Sequence, residues 1–287
     1  DLERLQDAFV EFLHNLPFYG LAVVCIDDPG VNDVLGNIGR SLITYGLAED
    51  ADVRAENVEF AEGLTRFDVV RPDDRETLHI ALQLPGMHNV RNALAAIAVA
   101  EELQIADDAV VAALGNFEGI DRRFQSLGEV KTAAGKIMLI DDYGHHPTEV
   151  AATLAAARAG WPERRVVLVF QPHRYSRTHD LFDDFIQVLC EADVLVIGEV
   201  YAAGEAPIGG ADGRALCRGI RARGQVDPVF VEHAEELPGV MRRLLADGDV
   251  VFLWEDRRDG SNALADLYAE GTGVERDPAA ALEWYRR

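Results

Sequence analysis

The chain has 287 residues, 48% of them hydrophobic and 27% charged, which is enough for two domains at about 100–200 residues per domain. Lys and Arg number 27 against 50 for Asp and Glu, a net charge of −23, and a field of this sign repels nucleic-acid phosphates and anionic membrane surfaces. The three cysteines form no CxxC pair, so we expect neither a disulfide framework nor a zinc ribbon. No apolar run approaches the roughly 20 residues of a membrane span, and we expect a cytoplasmic protein.

The first 120 residues predict one helix, several strands and then two more helices. Apolar residues from Leu2 to Leu16 follow helical spacing with no capping residue before them, and the chain starts at Asp1 rather than Met, so we expect a fragment that begins inside an element. A buried strand is predicted over 21–26 and a loop over 27–30. Further strands with one face in water are predicted near 42–45, 52–60, 64–71 and 76–83, and helices from 88 to 103 and near 106–114.

From about residue 121 the pattern becomes a strict alternation of strands and helices. Strands such as Val166–Phe170 are continuously apolar, which is typical of parallel sheets covered by helices on both faces. The second half is therefore predicted to be a doubly wound α/β domain. Its expected strands are 136–141, 165–170, 193–200, 228–231 and 249–254, and its expected helices begin at 147 and lie near 178–190, 212–223 and 234–246.

Cationic side chains gather after two of these strands. Eight lie within 58 residues of a strongly acidic chain: Arg122, Arg123, His145, His146, His173, Arg174, Arg177 and His179. Ligands of open α/β sheets bind beyond the carboxyl ends of the strands, and guanidinium groups pair with phosphate or carboxylate. The pattern favours an anion-binding edge. The alternative for each residue is a histidine that bonds a loop carbonyl, or a solvated arginine.

Two other chemistries are disfavoured by spacing. His145 and His146 with Asp141 and Asp142 offer metal-ligand types, yet neighbouring positions on one loop rarely face one ion and no HExxH spacing occurs. Ser176 lies in no GxSxG turn, so covalent catalysis is not indicated. Cys190 and Cys217 fall in predicted helices, where a buried thiol is the usual explanation.

Asn89 and Asn92 lie three residues apart in the first turn of the Ala-rich helix. Two amides on one helix face offer a donor and an acceptor to a purine edge. N-capping by Asn89 is the alternative for that residue, and it leaves Asn92 unexplained.

Five separated segments, in the same order along the chain, carry a resemblance to a known family. They are Gly86–Asn92 (GMHNVRN), Asp121–Phe124 (DRRF), Asp141–Glu149 (DDYGHHPTE), Phe170–Thr178 (FQPHRYSRT) and Glu199–Pro207 (EVYAAGEAP). Over about 1–252 the chain resembles the Mur ligases, specifically the members that add L-alanine to UDP-N-acetylmuramate. A related recycling ligase, which joins a tripeptide to the same sugar, shares a DDYGHHP-like loop and is less similar over Gln171–Thr178.

The resemblance implies an ADP-forming, ATP- and Mg²⁺-dependent ligase of peptidoglycan synthesis, and so of cell-wall biogenesis, cell shape and division. ATP phosphorylates the muramyl carboxylate, and the amine of L-alanine attacks the acyl phosphate. The implied fold class is α/β: a partial central ATPase-type domain over 1–120, a doubly wound, mostly parallel Rossmann-like C-terminal domain over 121–254, and a short α-hairpin tail over 255–287. The implied partners are UDP-N-acetylmuramate, L-alanine and ATP, with no nucleic acid and no membrane.

The site residues are carried over motif by motif. The resemblance implies Asn89 and Asn92 as adenine contacts, Arg123 and Asp142 on the C-terminal-domain side of the ATP site, Tyr143, His145, Arg174 and Arg177 around alanine and the acyl phosphate, and His173 as a further candidate in that cleft. Those implied as catalytic are Arg123, Asp142, His145, Arg174 and Arg177. Arginines here would neutralise charge spreading over the transferred phosphoryl group.

The departures from the family also carry expectations. No GxxxxGK[ST] loop occurs in the 287 residues, so the phosphate cradle, the magnesium ligands and the sugar-nucleotide domain are expected upstream, and the chain alone is expected to be inactive. The tail over 262–287 pairs two Ala-rich stretches across Gly271–Val274 and resembles a SEL-type repeat, a surface for a protein partner. The alternative function is a non-catalytic interaction protein that combines a degenerate ligase domain with this helical repeat.

Overall fold

The computed structural model describes residues 2–61, 63–73 and 75–254. The hairpin tail expected over 255–287 lies outside the described residues. The chain divides into two compact units between Glu118 and Gly119, two residues before the expected boundary. Within the described residues, no helix has both the length and the apolar character that a membrane crossing requires.

The first unit contains a five-stranded mixed sheet and four α-helices. Its helices are α1 (Leu2–His14), α2 (Pro29–Val34), α3 (Met87–Glu102) and α4 (Asp107–Gly115), and its strands are β1 (Leu21–Cys25), β2 (Ser41–Gly46), β3 (Val53–Ala61), β4 (Leu64–Val70) and β5 (Leu78–Leu82). The strand order is β1-β2-β3-β4-β5. The β1, β2 and β3 strands are parallel, whereas β4 is antiparallel to both β3 and β5.

The alternation of these strands sets the packing of the first unit. In β5 the pattern is buried–exposed–buried–exposed–buried, and the buried residues pack with Val90, Leu94 and Ile97 of α3. The prediction of strands with one wet face is confirmed here. Alternate residues of β1 instead pack with Leu13 of α1 on the opposite face. The short helix α2, capped by Asp28, replaces the end of the loop expected over 27–30.

The second unit contains a six-stranded sheet. Its strands are β6 (Gln125–Thr132), β7 (Gly135–Asp141), β8 (Val166–Phe170), β9 (Val194–Gly198), β10 (Val229–Val231) and β11 (Val250–Trp254), and its helices are α5 (Pro147–Gly160), α6 (Tyr175–Asp180), α7 (Phe182–Leu189), α8 (Gly213–Arg223) and α9 (Leu237–Leu244). The strand order is β10-β9-β8-β11-β7-β6. All neighbours are parallel except β6, which is antiparallel to β7.

Helices cover both faces of this sheet. Side chains of α5, α7 and α8 pack on one face with Ile140, Leu168 and Phe252, and α9 packs on the other with Val167 and Val251. Every residue of β8 is buried. The predicted doubly wound α/β domain is confirmed, with two differences: β6 was not predicted, and the single helix expected near 178–190 is divided into α6 and α7 at Leu181.

Candidate functional site

The predicted anion-binding edge lies in the second unit, at the carboxyl ends of β7, β8 and β9. The β7 and β8 strands run parallel on either side of β11, and β9 is the other neighbour of β8. Loops 142–146, 171–174 and 199–205 therefore leave the sheet at one edge, as the sequence predicts for the first two. This edge is also where open α/β sheets bind their ligands.

Four rings form a continuous row across this edge. The ring centroids of Tyr143 and His145 are 5.0 Å apart, those of His145 and His173 are 5.9 Å apart, and those of His173 and Tyr201 are 5.4 Å apart. At one end of the row, the guanidinium carbon of Arg122 lies 4.8 Å from the centroid of Tyr143, within cation–π range. The structure thus brings together three residues predicted for the site, Tyr143, His145 and His173.

The backbone fixes the orientation of His145. Its Nδ1 lies 3.0 Å from the carbonyl oxygen of Tyr143, and because a carbonyl oxygen only accepts, Nδ1 is the donor in this contact. The backbone N–H groups of His145 and His146 both donate to Glu149. His146 accepts from Thr148 N–H and caps α5, so its role is to begin that helix.

Asp142 is only 7% exposed and organises two loops through its carboxylate. One oxygen accepts from Phe124 N–H at 2.9 Å and from the Thr153 hydroxyl at 3.2 Å, and the other accepts from Gly144 N–H at 2.6 Å. These bonds tie the turn around residue 123 to the loop after β7. The structure places Asp142 beside the predicted site residues. Its hydrogen bonds indicate that it fixes the backbone of the loops that carry them.

Arg122 and Arg123 differ in where their side chains lie. Both occupy a tight turn in which Arg122 and Phe124 have φ values of 61° and 46°, left-handed values that cost energy for residues other than glycine. Arg122 is half-buried with its Nε 4.0 Å from Asp141. Arg123, which the family resemblance implies for the ATP site, is exposed. Phe124 anchors the turn, stacked on Trp161 at 6.2 Å.

Arg174 and Arg177 stand at the beginning of α6. Arg177 Nη1 lies 3.4 Å from both Nδ1 and the carbonyl oxygen of His173, which joins it to the row of rings. Arg174 is exposed and has a φ of 71°. Its backbone N–H donates to the carbonyl of Tyr201 at 2.8 Å.

The asparagine pair, Asn89 and Asn92, lies on α3 in the first unit. The N-cap of α3 is Gly86, with φ of 106° and no side-chain capping bond, so N-capping by Asn89 is wrong. The helix begins one residue earlier than expected, and Asn89 Nδ2 donates backwards to the carbonyl of Pro85 at 2.8 Å. Asn89 is half-buried and Asn92 is exposed one turn further along.

Sequence reasoning named Arg122 only among the eight cationic side chains of this edge, and it assigned no role to Tyr201 or Glu205. All three lie within the quoted family segments, so the signal was present. The Glu205 carboxylate accepts from both the backbone N–H and the hydroxyl of Ser176, at 2.9 and 2.7 Å. Ser176 thus donates to a carboxylate from the next loop, an arrangement different from a nucleophile paired with a histidine.

The described parts of both units contain no cluster of three or more His, Cys, Asp or Glu side chains that could hold a metal ion. Cys190 and Cys217 are buried. Burial raises the pKa of the Cys217 thiol to about 11, and it leaves that thiol protonated and unreactive at neutral pH.

Comparison with known proteins gives two family matches. The Mur ligase middle domain matches residues 1–100, and the Mur ligase glutamate ligase domain matches residues 122–254.

Solved structures with this fold include three ligases. UDP-N-acetylmuramate–alanine ligase MurC from Thermotoga maritima is 27% identical with a TM-score of 0.71, over 94% of this chain and 56% of that chain. Murein peptide ligase from Psychrobacter arcticus is 21% identical with a TM-score of 0.61, over 99% and 55% of the two chains. MurF ligase from Thermotoga maritima, solved in complex with ADP, is 16% identical with a TM-score of 0.66, over 89% and 54%.

This chain spans about half the length of each of these structures. The middle-domain match lies within the first unit and the other match lies within the second unit, and each unit has an α/β fold of its own. The chain therefore carries the middle domain and the C-terminal domain of the Mur ligase family.

Proposed function

We propose that this chain is the middle and C-terminal part of an ADP-forming ligase that joins L-alanine to UDP-N-acetylmuramate. The observation that carries the proposal is the row of rings and arginines at the carboxyl edge of the second unit, in a chain of net charge −23. A local reversal of charge of this kind suits an anionic reaction centre. The other substrate contacts would come from the part of such a ligase that this chain does not span.

The proposed reaction has two steps. The γ-phosphoryl group of ATP passes to the muramyl carboxylate, which gives an acyl phosphate and ADP. The amine of alanine then attacks the acyl carbon, the new C–N bond forms, the C–O bond to phosphate breaks, and inorganic phosphate leaves. Arg174 and Arg177 would neutralise charge on the phosphoryl group or the alanine carboxylate, since guanidinium groups pair with both.

Each remaining site residue is proposed for a role that fits its position. Tyr143, His145 and His173 would form the wall against which alanine and the acyl phosphate bind. Asp142 would hold the loops, and the exposed Arg123 would pair with a phosphate group. The contacts described above support the assignments of Tyr143, His145, His173 and Asp142, and exposure to solvent supports that of Arg123.

For ATP, the first unit offers the asparagine pair. Asn89 uses one amide hydrogen on Pro85, so its carbonyl oxygen is available as an acceptor, and the exposed Asn92 amide adds a donor. An acceptor and a donor on one helix face suit the amino group and ring nitrogen of adenine. Mg²⁺ accompanies ATP in phosphoryl transfer. The described residues present no cluster of metal ligands.

Alanine is preferred over a peptide acceptor for two reasons. The match to the alanine ligase has both the higher identity and the higher TM-score, 27% and 0.71 against 21% and 0.61 for the murein peptide ligase. The Phe170–Thr178 segment, which supplies His173 and both arginines, also resembles the alanine-adding members more than the recycling ligase.

The test is phosphate release by the gene product read in frame through Asp1. It is incubated with ATP, magnesium and UDP-N-acetylmuramate, and with either L-alanine, a muramyl tripeptide or no amino acceptor. Release that depends on both the sugar nucleotide and alanine supports the proposal. Release with the tripeptide alone assigns the enzyme to the recycling branch.

The 287-residue chain is the control, and we expect no acceptor-dependent release from it, because it has no phosphate-cradling GxxxxGK[ST] loop. Positioning of substrates supplies about 7–11 kcal/mol of barrier reduction in typical enzymes. Absence of any acceptor-dependent activity in the longer gene product would instead favour the non-catalytic interaction protein.

A further inference from the structure

A second loop holds residues 172–177, which carry Arg174 and Arg177 and which we call the arginine segment. Residues 201–205 follow β9, and we call them the 201–205 loop. At its start, Tyr201 N–H donates to the carbonyl of Pro172, and the carbonyl of Tyr201 accepts from Arg174 N–H, both at 2.8 Å. These two bonds form a parallel bridge between the loops after β8 and β9.

The far end of the 201–205 loop returns to the same segment through a side chain. Ala203 and Gly204 both have positive φ, 49° and 86°, and Glu205 N–H donates to the carbonyl of Ala202 at 2.9 Å. This turn brings the Glu205 carboxylate onto Ser176, whose N–H and hydroxyl both donate to it. The loop therefore contacts the arginine segment on either side of Arg174.

The arginine segment needs such a partner. Arg174 precedes α6 in the left-handed region and provides no side-chain cap, and α6 has only six residues. Unpaired N–H groups at a helix start are stabilised by an anion, and Glu205 supplies one from outside the helix. The hydrogen bonds from Ser176 lower the pKa of Glu205, so the group stays ionised at neutral pH.

From these contacts we infer that Glu205 is a positioning residue, which holds Arg174 and Arg177 in the orientation that the ligase reaction uses. The inference rests on the proposed function, because the reaction supplies the need for those arginines. Glu205 acts through Ser176 and the backbone, and it contacts neither substrate. Its negative charge also attracts the positive charge of Arg174, which contributes to the lowered pKa of Glu205.

The kinetic test compares variants of the gene product read in frame through Asp1. Because small displacements of positioning groups cost up to about 100-fold in rate, we expect Glu205→Ala to lower kcat/KM for alanine about 10-fold or more, with KM for ATP unchanged. Glu205→Gln should lose less, since its amide oxygen still accepts from one Ser176 donor. Glu163→Gln, an exposed glutamate of the same unit, is the control for loss of charge and should behave as wild type.

A double-variant cycle separates positioning from general stabilisation. If Glu205 acts through the arginines, Glu205→Ala should have little further effect once Arg174 and Arg177 are both alanine. An equal loss in both backgrounds would overturn the inference.

Amide exchange in the 287-residue chain gives a readout that needs no activity. Glu205→Ala should speed exchange at Ser176 and Arg174 while the β8 amides keep their protection. Unchanged exchange at Ser176 would overturn the inference even in an active ligase. Faster exchange at Ser176 in an enzyme without any ligase activity would show that the contact exists and that the proposed function is wrong.

Discussion

The two units build their strands in different environments, and this decides where polar residues lie. Every residue of β8 in the second unit is buried, so the charged groups next to this strand lie in the loops at its ends. In the first unit, β5 alternates between buried and exposed residues, and polar residues lie along the strands themselves. A sheet covered on both faces concentrates its chemistry at one edge, whereas the mixed sheet spreads polar groups over a surface.

The largest expected effect separates the roles of the two units in the reaction. Arg174→Ala should lower turnover about 100-fold, because removing a group that stabilises transition-state charge typically costs 10²–10³. Asn92→Ala should raise KM for ATP about fivefold and leave turnover unchanged, since it removes one hydrogen bond of ground-state binding. Steady-state kinetics of the longer gene product measures both. Unchanged turnover with a raised KM for ATP in Arg174→Ala would assign Arg174 to ATP binding instead.

Arg218→Ala is the matched control for that experiment. Arg218 lies on α8 and is exposed, so its loss should change neither turnover nor KM. A drop in turnover in this variant would mean that net charge, rather than position at the edge, explains the effect of Arg174.

A second effect concerns the two cores. Leu168 in β8 is fully buried, and Leu168→Ala should lower the free energy of unfolding of the second unit by about 2–5 kcal/mol. Ile43 in β2 is half-buried, so Ile43→Ala should cost the first unit less, about 1–2 kcal/mol. All three tryptophans lie at or after Trp161, so tryptophan fluorescence in urea follows the second unit, and hydrogen exchange of amides before residue 119 follows the first. Equal costs would show that the two sheets are buried alike.

A third effect is the pH dependence of one ion pair in the first unit. Burial alone raises the pKa of Asp27, but hydrogen bonds from Arg91 and from the N–H groups of Leu47 and Ala48 outweigh it and lower the pKa below the usual value. A carboxylate with a lowered folded-state pKa stabilises above its unfolded pKa of about 3.9 and loses that contribution as the pH falls through the folded pKa.

Asp27→Asn should therefore destabilise the first unit by about 1–3 kcal/mol at pH 7, and by much less at pH 3. Urea denaturation at the two pH values measures the difference. Asp33→Asn, an exposed neighbour in α2, should be neutral at both. A loss of the same size at pH 3 and pH 7 would contradict the role of the charge.

The smallest effect is the difference in local opening between the units. Amides over 20–85 should exchange at least about tenfold faster than those over 136–200, because the first sheet has more exposed backbone. A tenfold difference corresponds to about 1.4 kcal/mol in the free energy of local opening. Hydrogen exchange by mass spectrometry resolves both ranges. Equal protection would show that the first unit closes its core as completely as the second.

Sequence patterns predicted the central strands well and the edge strand poorly. Val166–Phe170 is apolar throughout, and this alone indicates a strand buried on both faces. By contrast, β6 is antiparallel at the sheet edge, mostly polar, and interrupted by an irregular register between Ser126 and Gly128. No apolar run or clean alternation marks such a strand, so the predicted strands of the domain over 121–254 began only at residue 136, in β7.

The site was predictable at the level of loops and unpredictable at the level of side chains. The strand-end rule brought the loops after β7 and β8 together, as the structure does. The rule could not predict which of Arg122 and Arg123 contacts the ring of Tyr143, because the backbone conformation of the turn decides this. It also could not find Glu205, since its contact with Ser176 joins residues 29 positions apart.

The position of β11 has a consequence for how the second unit is made. This strand is central in the sheet, between β8 and β7, yet it is the last of the six along the chain. While the nascent chain emerges, β8–β10 and β6–β7 are two partial sheets separated by the width of one missing strand, and each presents an open edge. Synthesis must reach residues 250–254 before the two parts can be joined. The sheet of this unit therefore forms completely only after its final strand has been made. Until then, both open edges can bind a chaperone or aggregate.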